Sequence, residues 1–303
     1  MHQSELINKI CKRPPRCGHT IRMRWSLRLC LVVFTLWVVG AAHAQAAFDE
    51  DSGSHRILGP KSATGAIIWS HGRSLTQEDS LAPTPNYVES FRMQGWDAFR
   101  FNRGREQDSL LGGSHALARF AAKLKTQGYR IVVLAGQSYG AFMSLMAADF
   151  SNDIDAVIAV APAAFGPVRD NPTRGALNAS RLYPLLERAR HARVMLFYFS
   201  DDIYDPGGRG PRSEEILRAR QQPHLVVDRP WGLETHWAGS TKEFSARFGS
   251  CIVAFAHYGD AAAPACLSVA RSPPPASHTR TRLSAPASNS HSSGAVSSGS
   301  AAR

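Results

Sequence analysis

Little in this 303-residue chain is long, repeated or strongly charged. The apolar run from Leu29 to Val39 falls well short of the roughly 20 residues a membrane-spanning helix needs, which argues against the alternative of an uncleaved transmembrane anchor there. No internal repeat is present, so repeat architectures are excluded. Acidic residues are absent from Ser272 onward. The basic balance is also largely missing from the middle of the chain. Seven Lys/Arg against one Glu in residues 1–44, and three Arg from Ser272, account for nine of the formal net charge of +11. Residues 45–271 keep only +2, which is poor ground for nucleic-acid binding. Cysteine is scarce: of five, only Cys251 and Cys266 lie beyond Ala44.

The ends differ from the middle in kind. Arg22, Arg24 and Arg28 precede the apolar run, and Ala42-His43-Ala44 supplies a small-residue cleavage site. Residues 1–44 therefore read as a secretory signal, removed after Ala44 or Ala46, with Met23 an alternative start. Residues 272–303 are rich in Ser, Pro and Ala and read as a disordered tail. The expected mature domain is 45–271, exported to the periplasm or outside the cell and without stable membrane insertion. In that compartment Cys251 and Cys266 are expected to form a disulfide.

Within the domain, apolar runs alternate with amphipathic segments. Strands are expected near 66–69, 97–101, 130–135, 154–160, 193–199 and 224–227, with a short edge strand near 55–58. Helices are expected at 87–94, 114–127, 141–150, from Asn178 or Ser180 to 190, at 213–221 and at 241–257. Continuous apolar strands separated by helices predict an α/β, three-layer α/β/α sandwich. Its sheet should be mostly parallel, with about six to eight strands. The segment between Val160 and Arg193 leaves room for one helix and a loop, so no large lid domain is expected.

The most informative stretch is Ile131 to Phe142, an apolar strand running into Gly136-Gln137-Ser138-Tyr139-Gly140 and then a helix. A serine at the apex of a strained strand-to-helix turn stands its hydroxyl clear of the sheet. The flanking small residues let strand and helix approach closely.

With this elbow, the loop Ser70-His71-Gly72-Arg73 and the downstream Asp and His, residues 62–258 resemble the α/β-hydrolase superfamily. The resemblance is to the branch of dienelactone-hydrolase-like and prolyl-oligopeptidase-like domains. It implies a nucleophile, an acid and a histidine in that chain order at the carboxyl edge of the sheet. Ser138 matches the nucleophile. Asp202 matches the acid, followed four residues later by Pro206, with Asp205 as the alternative. His236, in the loop after the last strand, matches the base. The backbone N–H groups of Tyr139 and Arg73 match the oxyanion donors, and His71 is expected to tie down its loop. Phe165 and Trp231 are candidates for a substrate pocket, together with Trp237, whereas Trp69 is expected in the core. Arg103 and Arg105 are expected on a solvated loop.

The resemblance implies a serine hydrolase acting on carboxylic esters or related acyl bonds of a small-molecule substrate, with no metal and no organic cofactor. The Asp cluster at 201–205 lacks the ligand spacing of an EF-hand. The same scaffold also serves peptidases, thioesterases and acyltransferases, and non-catalytic binding proteins are a further alternative.

Overall fold

Alternation along each strand divides the side chains of one sheet between two cores. The computed structural model describes residues 48–50, 56–73, 83–103, 108–189 and 191–271. Residues 1–44 and 272–303, read above as signal and tail, lie outside the described residues, as does Arg105.

The strands are β1 (Phe48–Glu50), β2 (Ala66–Ser70), β3 (Asp97–Phe101), β4 (Val132–Gln137), β5 (Ala156–Val160), β6 (Arg193–Tyr198) and β7 (His224–Asp228). They form one seven-stranded sheet in the order β1-β3-β2-β4-β5-β6-β7, all parallel except β1. The helices are α1 (Asn86–Met93), α2 (Leu110–Gln127), α3 (Tyr139–Phe150), α4 (Pro172–Ser180), α5 (Leu182–Arg188), α6 (Arg209–Ala219), α7 (Lys242–Tyr258) and α8 (Ala263–Arg271). Ile68, Leu134, Val157 and Leu196 pack under α2, α3, α5 and α6 in one core. Their neighbours Ile67, Val133, Ile158 and Met195 face α1 and α7 in the other. The three-layer α/β/α sandwich is therefore built from period-2 strands buried on both faces.

Several boundaries differ from the sequence reading, each for a local reason. The edge strand is β1 and not 55–58. Phe48 stacks on Phe101 and Phe120 at 4.6 and 4.0 Å between centroids, which holds that short segment on the sheet. The described residues at 56–59 instead donate Leu58 and Gly59 N–H groups to the Asp97 carboxylate. Ser109, not Ser114, caps α2, accepting from Gly112 N–H, while Ser114 lies buried and bonds the Leu110 and Met143 carbonyls. Asn171, with Pro172 behind it, caps α4. The segment between β5 and β6 accordingly holds two short helices where one was expected.

The run Lys242–Arg271 has the length and apolarity of a membrane span, but it is not one rod. A turn at Gly259–Ala262 separates α7 from α8. The Cys251–Cys266 disulfide holds Cα atoms 5.3 Å apart, where a continuous helix would put them about 22 Å apart. The bridge spans 15 residues, for which chain-entropy loss in the unfolded state is worth about 3 kcal/mol. Cys251→Ser is expected to lower the denaturation midpoint accordingly, and a reducing agent should have the same effect on the parent protein and none on the variant.

Candidate active site

Backbone strain gathers at one edge of the sheet. Six described non-glycine residues have positive φ, and five of them lie beyond the carboxyl ends of β4 to β7: Ser138 (55°), Ala161 (47°), Asp201 (55°), Arg229 (48°) and Thr235 (70°). Such conformations cost roughly 1–3 kcal/mol each and persist where the surroundings over-determine them.

Ser138 sits between β4 and α3 with φ 55° and ψ −117°. The two motif glycines make that turn sterically feasible. A Cβ on Gly136 would lie within 3 Å of the Gly140 and Ala141 backbone, and one on Gly140 within 3 Å of the Ser70 and His71 backbone. Strand, helix start and the neighbouring β2 loop thus meet at van der Waals limits. Gly72 lies beside the serine, an added Cβ falling 3.5 Å from Ser138 Cβ. Tyr139 opens α3, so its N–H is one of the amides a helix leaves without an internal acceptor.

The β2 loop is fixed by Arg103, which is buried, contrary to the solvated loop expected for it. Its guanidinium donates to Asp108 at 2.9 Å, to the His71 carbonyl at 2.6 Å and to the Gly72 carbonyl at 3.0 Å. The Arg103 N–H also donates to His71 Nε2 at 3.3 Å. His71 Nδ1 therefore carries the proton and donates to Gly72 O at 2.7 Å. Both ring nitrogens are occupied in holding the loop. Arg73 lies with its guanidinium carbon 5.3 Å from the Tyr139 ring centroid, and Arg103 lies 5.7 Å from it. Burial, and next the Asp108 charge, push the Tyr139 hydroxyl up against the opposing pull of the two arginines.

On the other side of Ser138 two loops are zipped together. Thr235 N–H donates to Ser200 O at 2.7 Å, and Ser200 bridges Glu234. This extends the β6–β7 pairing and places Asp202 against His236. His236 Nδ1 lies 3.0 Å from both carboxylate oxygens of Asp202. Asp202 Oδ1 also accepts the Tyr204 N–H at 2.8 Å. Asp205, the alternative acid, does not meet the histidine. It accepts from Arg209 Nε and from Gly207 N–H, each at 2.8 Å.

Arg209 was not anticipated, because the helix was expected to begin at 213. It is completely buried, donates to Pro162 O and lies 3.8 Å from Asp202 Oδ2. Its buried guanidinium thus lies beside both the Asp202 and the Asp205 carboxylates. Asn178 was expected only as a helix cap. It is buried and accepts the Ala164 and Phe165 N–H groups while donating to Gly166 O and Tyr204 O, which joins the β5 and β6 loops.

With Nδ1–H donated to a carboxylate, the other imidazole nitrogen presents its lone pair. His236 is 2 % exposed, and its Nε2 is buried with no hydrogen-bond partner among the described residues. Ser138 is thus not hydrogen-bonded to it here. Gln137, the residue before the serine, nevertheless ties the two loops. Its Nε2 donates to the His236 carbonyl at 3.1 Å, and its Oε1 accepts from Ser240 Oγ. Two rings flank the imidazole: Tyr204 at 4.2 Å and Trp237 at 5.2 Å between centroids. Burial, followed by the Asp202 and Asp170 charges, pushes the Tyr204 hydroxyl up, so it stays neutral.

The pocket candidates separate. Trp237 is 59 % exposed beside His236. Trp231 is also exposed, but its main chain is tied to the C-terminal helices through Ala270 and Arg247. No described ring contact joins it to the site, so the structure does not bring Trp231 to His236. Phe165 is half-buried and packs edge-on against Phe142, 5.5 Å between centroids. Trp69 is core. Among the described residues no cluster of His, Cys, Asp and Glu is arranged to hold a metal.

No protein-family profile matches the sequence, and no curated protein does. Among solved structures, a puromycin-hydrolysing peptidase of Mycobacterium tuberculosis is 14% identical, with a TM-score of 0.49 over 70% of this chain and 37% of that one. An acylaminoacyl peptidase of Pyrococcus horikoshii is also 14% identical, at TM-score 0.47 over 64% of this chain and 37% of that one. The esterase domain of a Rhodothermus marinus protein is 17% identical, at TM-score 0.46 over 70% and 92%. The chain thus spans little more than a third of the two peptidases. Independently of these likenesses, the sheet order, the antiparallel first strand, the strained serine between β4 and α3, and the Asp and His loops after β6 and β7 give this chain the α/β-hydrolase fold.

Proposed function

We propose that this protein is an exported serine hydrolase that cleaves carboxylic esters or related acyl bonds. The observation that carries the reading is the buried, unpartnered Nε2 of His236, opposite a ring nitrogen held by Asp202. A buried acceptor without a partner is worth roughly 1–3 kcal/mol of lost stability, and a catalytic role is one explanation for such a group; here the pairing of Nδ1 with Asp202 favours it. In unliganded sites the bond from nucleophile to base is often long and tightens on substrate binding.

Ser138 Oγ adds to the acyl carbon as His236 Nε2 takes its proton. Asp202 holds the imidazole in the required tautomer and stabilises the imidazolium. The negative oxygen is met by the Tyr139 and Arg73 N–H groups. The bond from the acyl carbon to the leaving group breaks, and the leaving group departs with the proton from Nε2. Water then repeats the sequence on the acyl-enzyme, releasing the acid and freeing Ser138. The N-terminal sequence and the Cys251–Cys266 disulfide support export.

Rates on matched acetyl esters, acetyl amides and acetyl thioesters test the reading. Ester hydrolysis that disappears in Ser138→Ala is expected. Preference for amide or thioester would assign the scaffold to a peptidase or thioesterase. Absence of turnover on all three would favour a binding protein.

A further inference from the structure

The imidazole of His236 is flanked unequally by two rings. Tyr204 lies tilted over it, 4.2 Å between centroids and 43° between planes. Trp237 meets it edge-on at 5.2 Å and 82°. Trp237 and Ile203, each one residue from His236 or Asp202, are 59 % and 44 % exposed. An indole held open to solvent beside a fully buried imidazole is an apolar surface in reach of whatever that imidazole protonates. The elements behind it are fixed. Asp202 is held by Tyr204 N–H and backed by Arg209, and Asn178 donates to the Tyr204 carbonyl. The Tyr204 ring is therefore carried on a rigid frame, and the Trp237 ring meets the imidazole that Asp202 holds.

We infer that Trp237 and Tyr204 form a leaving-group subsite, and that the preferred substrates are esters whose alcohol portion carries a flat aromatic ring. The inference rests on the hydrolase reading above. In that mechanism the acyl oxygen points to the Tyr139 side, whereas the departing oxygen must receive its proton from His236 Nε2. The group next to the two rings is consequently the alcohol and not the acid. Stacking or edge contact with Trp237 and Tyr204 orients the departing oxygen for that proton. No additional reagent is required, since water completes the turnover.

Three substrates separate the outcomes: benzyl acetate, ethyl acetate, which has a similar alcohol without the ring, and ethyl phenylacetate, which places the ring in the acid. The parent enzyme should favour benzyl over ethyl acetate by about tenfold in kcat/KM, in line with one aromatic contact plus its buried area. Trp237→Ala should reduce that ratio to about one, and Trp237→Phe should restore most of it. The exposure of Trp237 makes the variants safe to fold, checked by their melting temperature. Equal loss on benzyl and ethyl acetate, a ratio unmoved by Trp237→Ala, or selective loss on ethyl phenylacetate would each overturn the subsite. A chain in which no ester is hydrolysed and Ser138 takes up no active-site label would instead overturn the hydrolase reading itself.

Discussion

His236→Ala is expected to lower kcat by about a millionfold, the scale seen when the base of a serine–histidine pair is removed. The reason is geometric. The described residues place one imidazole against Asp202, and only its Nε2 is left without a partner. Without it the Ser138 hydroxyl has no group to receive its proton. Asp202 keeps its contacts with Arg209 and the Tyr204 N–H in the variant, so the acid loop stays anchored. Asp202→Asn should lower kcat by about ten-thousandfold, because a side-chain amide favours the wrong imidazole tautomer. His224→Asn provides the contrast. His224 lies at the opposite end of β7, with Nε2 3.3 Å from Glu214. Its replacement should leave kcat within about twofold, because the side chain lies at the far end of β7 from Ser138 and His236. Steady-state rates on one ester, with circular dichroism to confirm folding, read all three.

Gly140→Ala is expected to be among the most damaging added methyl groups at the described glycines. Its Cβ would lie within 3 Å of the Ser70 and His71 backbone, atoms of the central strand β2 and its loop. Neither side can yield. β2 is hydrogen-bonded between β3 and β4, and the following loop is held by Arg103. Losses above about 4–5 kcal/mol are exceptional and arise from such overpacking and strain. We expect little soluble protein, or a denaturation midpoint lowered by that amount with the elbow displaced and activity lost. Gly249→Ala is the control. Its Cβ would meet the Ser90 hydroxyl, the end of a side chain that rotates. A modest change in stability is expected there.

The elbow and the parallel strands were legible because they are local: apolar runs, a five-residue motif and a following helix. Caps were less so. Ser109 and Ser114, or Asn171 and Asn178, are chemically equivalent at the start of a helix. Which one caps is decided by tertiary contacts, since Ser114 and Asn178 are drawn into buried bonds with Met143 O and Tyr204 O. The acid was ambiguous for the same reason. Asp202 and Asp205 share one turn, and Arg209, fully buried, claims Asp205. Asp205 precedes the first residue of α6, so no helical spacing pointed to its pairing with Arg209. Gln137 and Tyr204 left no trace either. Gln137 meets residues 99 and 103 positions away, and the ring of Tyr204 reaches His236 only once β6 and β7 are side by side. Arg103 read as solvated because nothing near it in sequence shows that its partners are the carbonyls of His71 and Gly72.

The central claim is that Ser138 is a nucleophile activated by His236. A fluorophosphonate followed by intact mass and peptide mapping tests it most directly. The parent protein is expected to gain one phosphonyl adduct, on Ser138, with none on Ser138→Ala and a greatly slowed reaction on His236→Ala. An unlabelled parent protein, or the same adduct on Ser138→Ala, would contradict it.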